Sequence, residues 1–593
     1  MNKNKNILLL LCILISTVAC HNLDIPPMNI IQDKDVFTKE SGVKAYMTSL
    51  YKDLPIEDFN FSGGGFHQTY CFPGIYNCTG EALLNPANMF NIGSPQGDWW
   101  QYWGYGQVRN VNYFLSTFPK YASTFTTDKA NAWLGEAHFM RAYNYFAMVK
   151  RYGGVPIIKE VQNYPTQSLE ELSVPRDPEQ AVYDFIGQDL DSAILLLPAV
   201  SAELGRVNKY VAYALKSRAM LYAGSIAQYG SIQLNGLLGI PAADAQKYYQ
   251  ASYDASIALD GHYSLYRKYS DKFENYWHLF LDDNSPENIF CEYYKYPEKG
   301  HGFDTYCIPQ QMWGPQGYSS MINPTLEFVE LFDDINGNSG ALKINDNSGN
   351  AIRFTNTIDI FNNVEPRLRG SVILPGDIFK GESIEIYKGI YESYPTGILH
   401  TSAAQGIELF NGKGIRGKSG IGYNYSTGTG FFNRKYQNPD MPKSQVLEGH
   451  SVQKYIDIRY GEILLNRAEA AYQLNKKDDA LTAVNDIRDR AGAMLLTADQ
   501  LTAQSIQKER RMELSFENQT YWDLRRWRIA DQLMNNKQYT ALYPYWVSNE
   551  NKFIFQKVQI GPIYTFDVKV YYTTIPTDEI LKNNKLIQNP GYN

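Results

Sequence analysis

The stretch that decides the fold is "YGEILLNRAEAAYQL" (460–474), which is followed after a single Asn by "KKDDALTAVNDIRDRAG" (476–492). Apolar residues recur in the first segment at helical spacing and share one stripe: Tyr460, Ile463, Leu464, Ala468, Ala471 and Leu474. The second segment ends at Gly492, where a helix terminus favours a residue that tolerates the left-handed conformation. Because the connecting turn is so short, we predict two antiparallel helices that pack as a hairpin.

Similar helix patterns recur along the chain. They cover 39–53, 98–118, 128–151, 178–197, 207–228, 244–259, 454–474, 476–491 and 503–528. In chain order they pair as 39–53 with 98–118, 128–151 with 178–197, 207–228 with 244–259, and 454–474 with 476–491. We therefore predict a mostly α protein with a tetratricopeptide-like scaffold of about four helix pairs. No strict repeat of roughly 34 residues is visible, so the prediction rests on the pairing.

The region between the two helical blocks has a different composition. Residues 261–450 are rich in Gly, Asn, Pro and aromatic residues, with short β-like runs such as "NIFCEYY" (288–294) and "GSVILPG" (370–376). Such sequence is typical of long, irregular, loop-rich insertions carried by a scaffold.

Composition limits the function. The chain has 593 residues, of which 44% are hydrophobic and 20% charged, as in an ordinary globular protein. The formal charge is 55 − 62 = −7 and no long Lys/Arg block occurs, which argues against nucleic-acid binding. Aromatic residues make up 14%, including 46 Tyr, and suit ligands that are part apolar and part hydroxylated.

The N-terminus is predicted to be a signal peptide, residues 1–19. Lys3 and Lys5 precede nine apolar residues at 7–15, and small residues lead to Cys20. The apolar run is shorter than the roughly 20 residues that span a bilayer. A cysteine after a small residue is similar to a bacterial lipoprotein signal, although Thr17 stands where that signal usually has Leu. We predict lipidation of Cys20, and ordinary secretion is the alternative.

The remaining cysteines form two pairs that are close in sequence, Cys71 with Cys78 and Cys291 with Cys307. In an oxidising compartment these pairs are compatible either with local disulfides or with free thiols. Their spacing does not match a zinc site, and the eight His residues form no cluster. We predict neither a metal nor a cofactor.

Several segments, in order, resemble the SusD/RagB family of Bacteroidetes outer-membrane lipoproteins. They are 141–158, "GRVNKYVAYALKSRAMLYAG" (205–224), 459–474, "NDIRDRAG" (485–492), "ERRMELSFENQTYWDLRRW" (509–527) and 575–593. "NVEPRLRGSVILPG" (363–376) resembles the family's DPRL element, with Glu365 in place of Asp. The resemblance implies a helical N-terminal region at 20–260 and a C-terminal region at 261–593. The latter comprises the loop-rich insertion 261–450, a helical part 451–530 and an irregular tail 531–593.

The family resemblance also implies a function. It implies a lipid-anchored protein on the outer surface of the outer membrane that binds a nutrient, usually an oligosaccharide, and passes it to a SusC-like TonB-dependent transporter. Peptide capture, as by a RagB-like protein, is the alternative. A cell-surface glycoside hydrolase is a third hypothesis, which would need two carboxylates facing each other across a cleft. We predict no catalytic residues and interpret the Asp282–Asp283 and Asp333–Asp334 pairs as solvated loop charges.

Two charged motifs have simple interpretations. The glutamates and arginines of 509–527 stand three or four residues apart, which predicts salt bridges on a helix face. "GKGIRGKS" (412–419) fits the phosphate-binding P-loop pattern, but the Gly-rich sequence after it cannot begin a stable helix. We therefore reject nucleotide binding there.

Ligand-binding residues can be predicted only from their chemistry, since sugars stack on aromatic rings and exchange hydrogen bonds with polar side chains. In the family, the ligand surface comes from the first insertion and from the segment after the third hairpin. The candidates are His67, Tyr70, Phe72, Tyr76 and Asn77 in the first, and Tyr306, Gln311, Trp313 and Tyr318 in the second. Trp99, Trp100 and Trp103 are also candidates, but we predict that Trp99 and Trp103 share a helix face and anchor the first hairpin.

Overall fold

The computed structural model describes residues 32–61, 74–84, 95–201, 203–317, 320–404, 406–422 and 425–592. Nine of its helices build the scaffold. They are α1 (Glu40–Lys52), α2 (Tyr105–Thr117), α3 (Thr127–Tyr152), α4 (Glu179–Leu196), α5 (Lys209–Tyr229), α6 (Ala245–Ile257), α7 (Tyr460–Gln473), α8 (Lys477–Ala491) and α9 (Ala503–Glu513).

The scaffold helices stack in chain order. Helix α3 packs on α4, α4 on α5, α5 on α6, and α7 on α8. Helix α7 also packs on α6, although residues 258–459 intervene, so the two helical blocks form one array. The predicted mostly α, tetratricopeptide-like scaffold is confirmed. The helices of the first pair are in contact, since Tyr46 of α1 stacks on Phe114 of α2 with the ring centroids 5.7 Å apart, although α2 packs more extensively on α3.

Caps and glycines set the helix ends. The Asn208 side chain accepts hydrogen bonds from the N–H groups of Tyr210 (2.9 Å) and Val211 (3.1 Å) and so begins α5. Gly492 ends α8 in the left-handed conformation (φ 73°), as predicted. The predicted helix 98–118 begins later, at Tyr105, because residues 97–100 form a turn in which Trp100 has φ 55°.

The second block contains a strand that the periodicity did not predict. Residues Tyr455–Arg459 form β4, which pairs antiparallel with β1 (Asn288–Glu292). All five residues of β4 are buried, so the strand lacks the alternation that marks a half-exposed strand. The predicted helix 454–474 therefore divides into β4 and α7, and the predicted helix 503–528 divides into α9 and the short helix Thr520–Arg526.

The tail, predicted to be irregular, contains the longest strands. Strands β5 (Lys537–Val547) and β6 (Lys552–Tyr564) form an antiparallel hairpin. Strand β5 also pairs in parallel with β2 (Gly389–Tyr391), which pairs with β3 (Leu399–Thr401), giving the sheet order β6–β5–β2–β3. Hence part of the loop-rich insertion is anchored to the tail through backbone hydrogen bonds.

The described residues also form short α-helices and two-residue strands. The other α-helices are Asp33–Phe37, Leu169–Leu172, Lys272–His278, Phe303–Cys307, Leu326–Val329, Arg367–Ser371, Thr520–Arg526, Ala530–Met534 and Thr577–Lys582. Two-residue strands occur at Ala82–Leu83, Asn323–Pro324, Val372–Ile373, Ile378–Phe379, Glu382–Ser383, Leu409–Phe410, Lys413–Gly414 and Phe432–Asn433. The β-like runs at 288–294 and 370–376 are thus confirmed in part.

One large apolar core runs through the helix stack, and a second, smaller one lies under the four-stranded sheet. Trp99, Trp100 and Trp103 pack against the large core, so the packing interpretation is confirmed although the three residues are not helical. In the part of the chain that the structure describes, no helix is long and apolar enough to span a membrane. Cys291 and Cys307 are buried free thiols, as is Cys78, whose sequence neighbour Cys71 lies outside the described residues.

Candidate functional site

Five of the residues predicted to be functional lie outside the described residues. They are Cys20, His67, Tyr70, Phe72 and Tyr318. The predicted signal peptide, residues 1–19, lies there as well.

Tyr76 and Asn77 lie inside the protein, so we correct the prediction that they contact ligand. Their side chains are 1% and 2% exposed. Both belong to a 3-10 turn, and the Asn77 side chain accepts a hydrogen bond from the Gly74 N–H (3.0 Å). Asn77 therefore holds the turn together, and neither side chain is available for stacking on a sugar.

Gln311 is half-buried and both ends of its amide are already bonded. Its Nε2 donates to the Ser383 carbonyl (2.9 Å), and its Oε1 accepts from the Glu385 N–H (2.8 Å). Gln311 thus ties the chain before Trp313 to the 383–385 segment. It positions its neighbours and has little capacity left for a ligand.

Trp313 is half-buried. Its ring packs edge-on against Tyr425, with the ring centroids 6.2 Å apart. The indole Nε1–H is itself buried and has no hydrogen-bond acceptor among the described residues, so the accessible part of the side chain is its apolar ring. A partly exposed aromatic ring suits a ligand that offers an apolar face.

Tyr306 lies along the same surface as Trp313. The Oε1 of Gln316 accepts a hydrogen bond from the Glu448 N–H (2.5 Å). A Cβ at Gly302 would come within 2.7 Å of both the Glu448 carboxylate and the Tyr306 ring, so these two groups lie side by side over Gly302. The segments 302–317 and 443–450 therefore form one continuous surface.

Two further residues extend this surface. Tyr296 is 54% exposed, and its ring centroid lies 4.5 Å from that of His450. We call the combined surface the aromatic face. Its members are Tyr296, Tyr306, Trp313, Gln316, Tyr425, Glu448 and His450.

A buried arginine contacts the chain just before Trp313. The Arg416 guanidinium donates to the carbonyls of Ala403 (2.6 Å) and Gly420 (3.1 Å) and to Gln310 Oε1 (3.1 Å). Burial lowers the pKa of Arg416. Arg416 belongs to the P-loop-like motif, where residues 417–422 contain a turn at 418–419 and no helix, and Lys418 Nζ contacts Glu385 (2.8 Å). The motif therefore helps to hold the face together.

The sequence predicted only part of the aromatic face. The sequence predicts Tyr306 and Trp313 but not Tyr296, Gln316, Tyr425, Glu448 or His450. Tyr425 follows the rejected P-loop-like motif in a Gly-rich loop, and its Tyr-Asn-Tyr composition was the available signal. Nothing in the sequence shows that the 443–450 segment lies beside residue 302.

A second cluster lies in the interior, and we call it the ion-pair core. It contains five carboxylates and five cations, each with a side chain at most 4% exposed: Glu287, Glu365, Glu509, Glu513, Glu517, Arg367, Lys435, Arg459, Arg488 and Arg490. The Arg459 guanidinium contacts the carboxylates of Glu287, Glu513 and Glu517, each at 2.7 Å. The core thus joins β4, α8, α9 and the 365–367 segment.

The ion-pair core corrects the prediction of surface salt bridges along 509–527. Glu509, Glu513 and Glu517 pair with cations that are distant in sequence and not with neighbours on their own helix face. Burial alone would raise the pKa of Glu513, but Arg490, Arg459 and Arg367 hold that pKa well below its usual range. Glu513 is therefore ionised in the interior, where removal of a partner is costly.

The adjacent aspartates Asp282–Asp283 and Asp333–Asp334 match the prediction of solvated loop charges only in part. Asp333 is mostly buried and contacts Lys508 Nζ (2.5 Å), so it is not a solvated charge. Asp283 is 70% exposed, as predicted. No group of three or more His, Cys, Asp or Glu side chains that could hold a metal ion occurs among the described residues.

The stacked helical hairpins place the chain in the class of helical-repeat proteins. Comparisons with known proteins identify the family within that class. Residues 286–592 match the SusD family, and residues 79–221 match the family described as starch-binding associating with outer membrane. The chain belongs to the SusD family.

Individual relatives agree with this assignment. The chain is 20% identical to the SusD-like protein P2 of Formosa agariphila, with 98% of each chain covered. It is similar to a SusD-like protein of Bacteroides fragilis at 25% identity and a TM-score of 0.67, covering 95% of this chain and 99% of that one. A laminarin-binding SusD-like protein has the same fold at 16% identity and a TM-score of 0.58, with 93% and 100% covered.

Proposed function

We propose that this protein captures an oligosaccharide on the aromatic face, without cleaving it, and delivers it to a SusC-like TonB-dependent outer-membrane transporter. The observation that carries the proposal is the half-buried Trp313 ring, which packs beside Tyr425 on a face that also includes Gln316, Glu448 and His450. Sugar rings present apolar C–H faces and hydroxyl oxygens to such a surface.

Family membership supports the choice of ligand. A solved SusD-like protein of Bacteroides fragilis, 20% identical with a TM-score of 0.64, is named as carbohydrate-binding, and another relative is named as laminarin-binding. The second matching family is described as associating with the outer membrane. These names support a glycan ligand for this chain.

The binding test uses residues 21–593 and a panel of soluble polysaccharides and their oligosaccharides, with affinity gels followed by calorimetry. Trp313→Ala should weaken binding of the best glycan about tenfold, or about 1.4 kcal/mol, because the stacking surface is removed. Trp546→Ala is the matched control. Trp546 is also half-buried, but it packs on Phe553 (4.7 Å between centroids) away from the aromatic face.

Three outcomes would replace this proposal. Binding of a peptide library without any glycan binding would favour the RagB-like alternative. Release of reducing ends from a bound polysaccharide would favour a hydrolase. Equal loss of binding in Trp313→Ala and Trp546→Ala would show that the aromatic face is not the site.

We also propose that Cys20 carries the lipid and that the protein faces the cell exterior. In Cys20→Ser, the protein should move from the membrane fraction to the soluble fraction, because the acyl chains supply the membrane affinity. Protease added to intact cells should cleave the wild-type protein. Delivery is tested by co-purifying the tagged protein with a TonB-dependent transporter from its own cells.

A further inference from the structure

A second, separate cleft lies between the end of α5 and the C-terminal tail, and we call it the Arg528 cleft. Its volume is about 580 Å³, which lies in the range of small-molecule sites. Its lining includes Tyr229, Arg528, Asp531, Val568, Lys569 and Tyr571. None of these residues belongs to the aromatic face.

The Arg528 guanidinium makes no direct ion pair with the described residues, and the buried Glu179 interacts with it from beyond the Tyr572 hydroxyl. Its carbon lies 4.8 Å from the ring centroid of Tyr571 and 4.7 Å from that of Tyr572. Its Nη2 donates to the Tyr572 hydroxyl (2.6 Å), which in turn donates to the buried Glu179 (2.7 Å). No carboxylate of the described residues lies within 4 Å of Arg528. Arg528 lines the cleft, and the Tyr572 hydroxyl is the one hydrogen-bond acceptor of its guanidinium among the described residues.

The backbone of Arg528 is also unusual. Its φ is 55°, in the left-handed region that side chains rarely adopt. Such a conformation costs free energy and persists only where the surroundings impose it. The result is a fixed, planar donor on the cleft wall, suited to a two-point contact with a carboxylate.

The other charged side chains in the cleft restrict which anions can bind there. Lys569 Nζ lies 3.4 Å from its neighbour Asp567, so these two charges largely cancel. The Asp531 carboxylate accepts a hydrogen bond from the Tyr571 hydroxyl and has no basic partner within 4 Å among the described residues. A multiply charged anion would be repelled by Asp531. A single carboxylate on a hydroxylated molecule fits, because its hydroxyls can donate to Asp531.

We infer that the Arg528 cleft is a second ligand site, which binds an acidic sugar through a carboxylate–Arg528 contact. The sugar hydroxyls donate to Asp531, and its apolar face packs on Tyr571 and the exposed Val568. This inference adds a site to the proposed function and depends on different residues. Either site can therefore fail its test without the other.

The test titrates residues 21–593 with the methyl glycosides of glucuronate, galacturonate and mannuronate, each beside its uncharged methyl ester. At least one acid should bind about tenfold more tightly than its ester. Arg528→Gly should abolish that difference, since it removes the guanidinium while glycine accepts the left-handed backbone. Arg109→Met should not change it, because Arg109 is an exposed arginine on α2 that does not line the cleft.

A second variant of Arg528 keeps the test decisive if Arg528→Gly does not fold. Arg528→Lys keeps the positive charge but loses the planar pair of donors, so the preference for the acid should fall about threefold and not disappear. Melting temperatures show whether each variant is folded. The inference is overturned if none of the three acids binds better than its ester, or if folded Arg528→Lys and Arg528→Gly both keep the full preference. Tighter binding of a free-acid tripeptide, with the same dependence on Arg528, would overturn the sugar assignment.

Discussion

The ion-pair core and the aromatic face are built from opposite kinds of sequence. Eight of the ten core residues lie in the segments through which the chain resembles its family: Glu365, Arg367, Arg459, Arg488, Arg490, Glu509, Glu513 and Glu517. The aromatic face lies in the Gly-, Asn- and Tyr-rich insertion and carries no motif. The recognisable sequence therefore specifies the interior, and the unrecognisable sequence builds the proposed binding surface.

This difference has a physical cause. A buried charge must keep each of its partners, because an unpaired charge in the interior is strongly destabilising. An exposed ring on a loop can be exchanged with little effect on the fold. Mutations in the ion-pair core should therefore lower the stability of the protein, whereas mutations in the aromatic face should lower its affinity for ligand.

The largest effect is expected from Glu513→Gln in the ion-pair core. The Glu513 carboxylate contacts Arg367 (3.0 Å), Arg459 (2.7 Å) and Arg490. In Glu513→Gln the three buried guanidiniums lose a shared counter-ion. The free energy of unfolding should therefore fall by about 3–5 kcal/mol. Urea unfolding measures this. Glu40→Gln is the control, since Glu40 makes exposed pairs with Lys44 and Lys129 and its loss should cost less than about 1 kcal/mol.

A smaller effect is expected from Glu81, a buried carboxyl outside the ion-pair core. Burial raises the pKa of Glu81 to about 7, against an opposing hydrogen bond from Thr520. Because the folded pKa exceeds the unfolded one, the folded state favours the protonated form. This contribution to stability is complete below about pH 4.5 and disappears as the pH rises through about 7.

Glu81→Gln mimics the protonated form at every pH. Between pH 5.5 and pH 8, the stability of the wild type should therefore fall relative to that of Glu81→Gln by about 2 kcal/mol. Urea midpoints at several pH values measure the difference. A difference that does not change with pH would show that Glu81 is ionised throughout this range.

The sequence predicted the scaffold because its helices are long and periodic. It did not predict β5, partly because Pro544 lies within that strand and proline argues against a strand interior. It missed β4 because that strand is buried throughout and lies directly before α7. It misread Glu509, Glu513 and Glu517 because local spacing suggested neighbours as partners, whereas the true partners are tens to hundreds of residues away.

The candidate site was predicted less well than the fold. Trp313 and Tyr306 were chosen by chemistry and lie on the aromatic face, but the same argument chose Tyr76, which is buried. Residue type shows what a side chain can bind and does not show whether the fold exposes it. The positions of Tyr425 and Glu448 depend on contacts between separate segments, which a single sequence does not contain.

The smallest effect is expected at the polar edge of the aromatic face. Glu448 is exposed, and its carboxylate lies beside the Tyr306 ring. An ionised carboxylate is a stronger acceptor of sugar hydroxyls than an amide, so Glu448→Gln should weaken glycan binding about threefold. Glu298→Gln is the control, because Glu298 is also exposed but is paired with Lys295 (3.2 Å). Calorimetry of glycan binding at two salt concentrations should show weaker binding in Glu448→Gln and unchanged binding in Glu298→Gln. The free energy of unfolding should be unchanged in both variants. If Glu448→Gln instead destabilised the protein as Glu513→Gln should, the separation between core and face would be wrong.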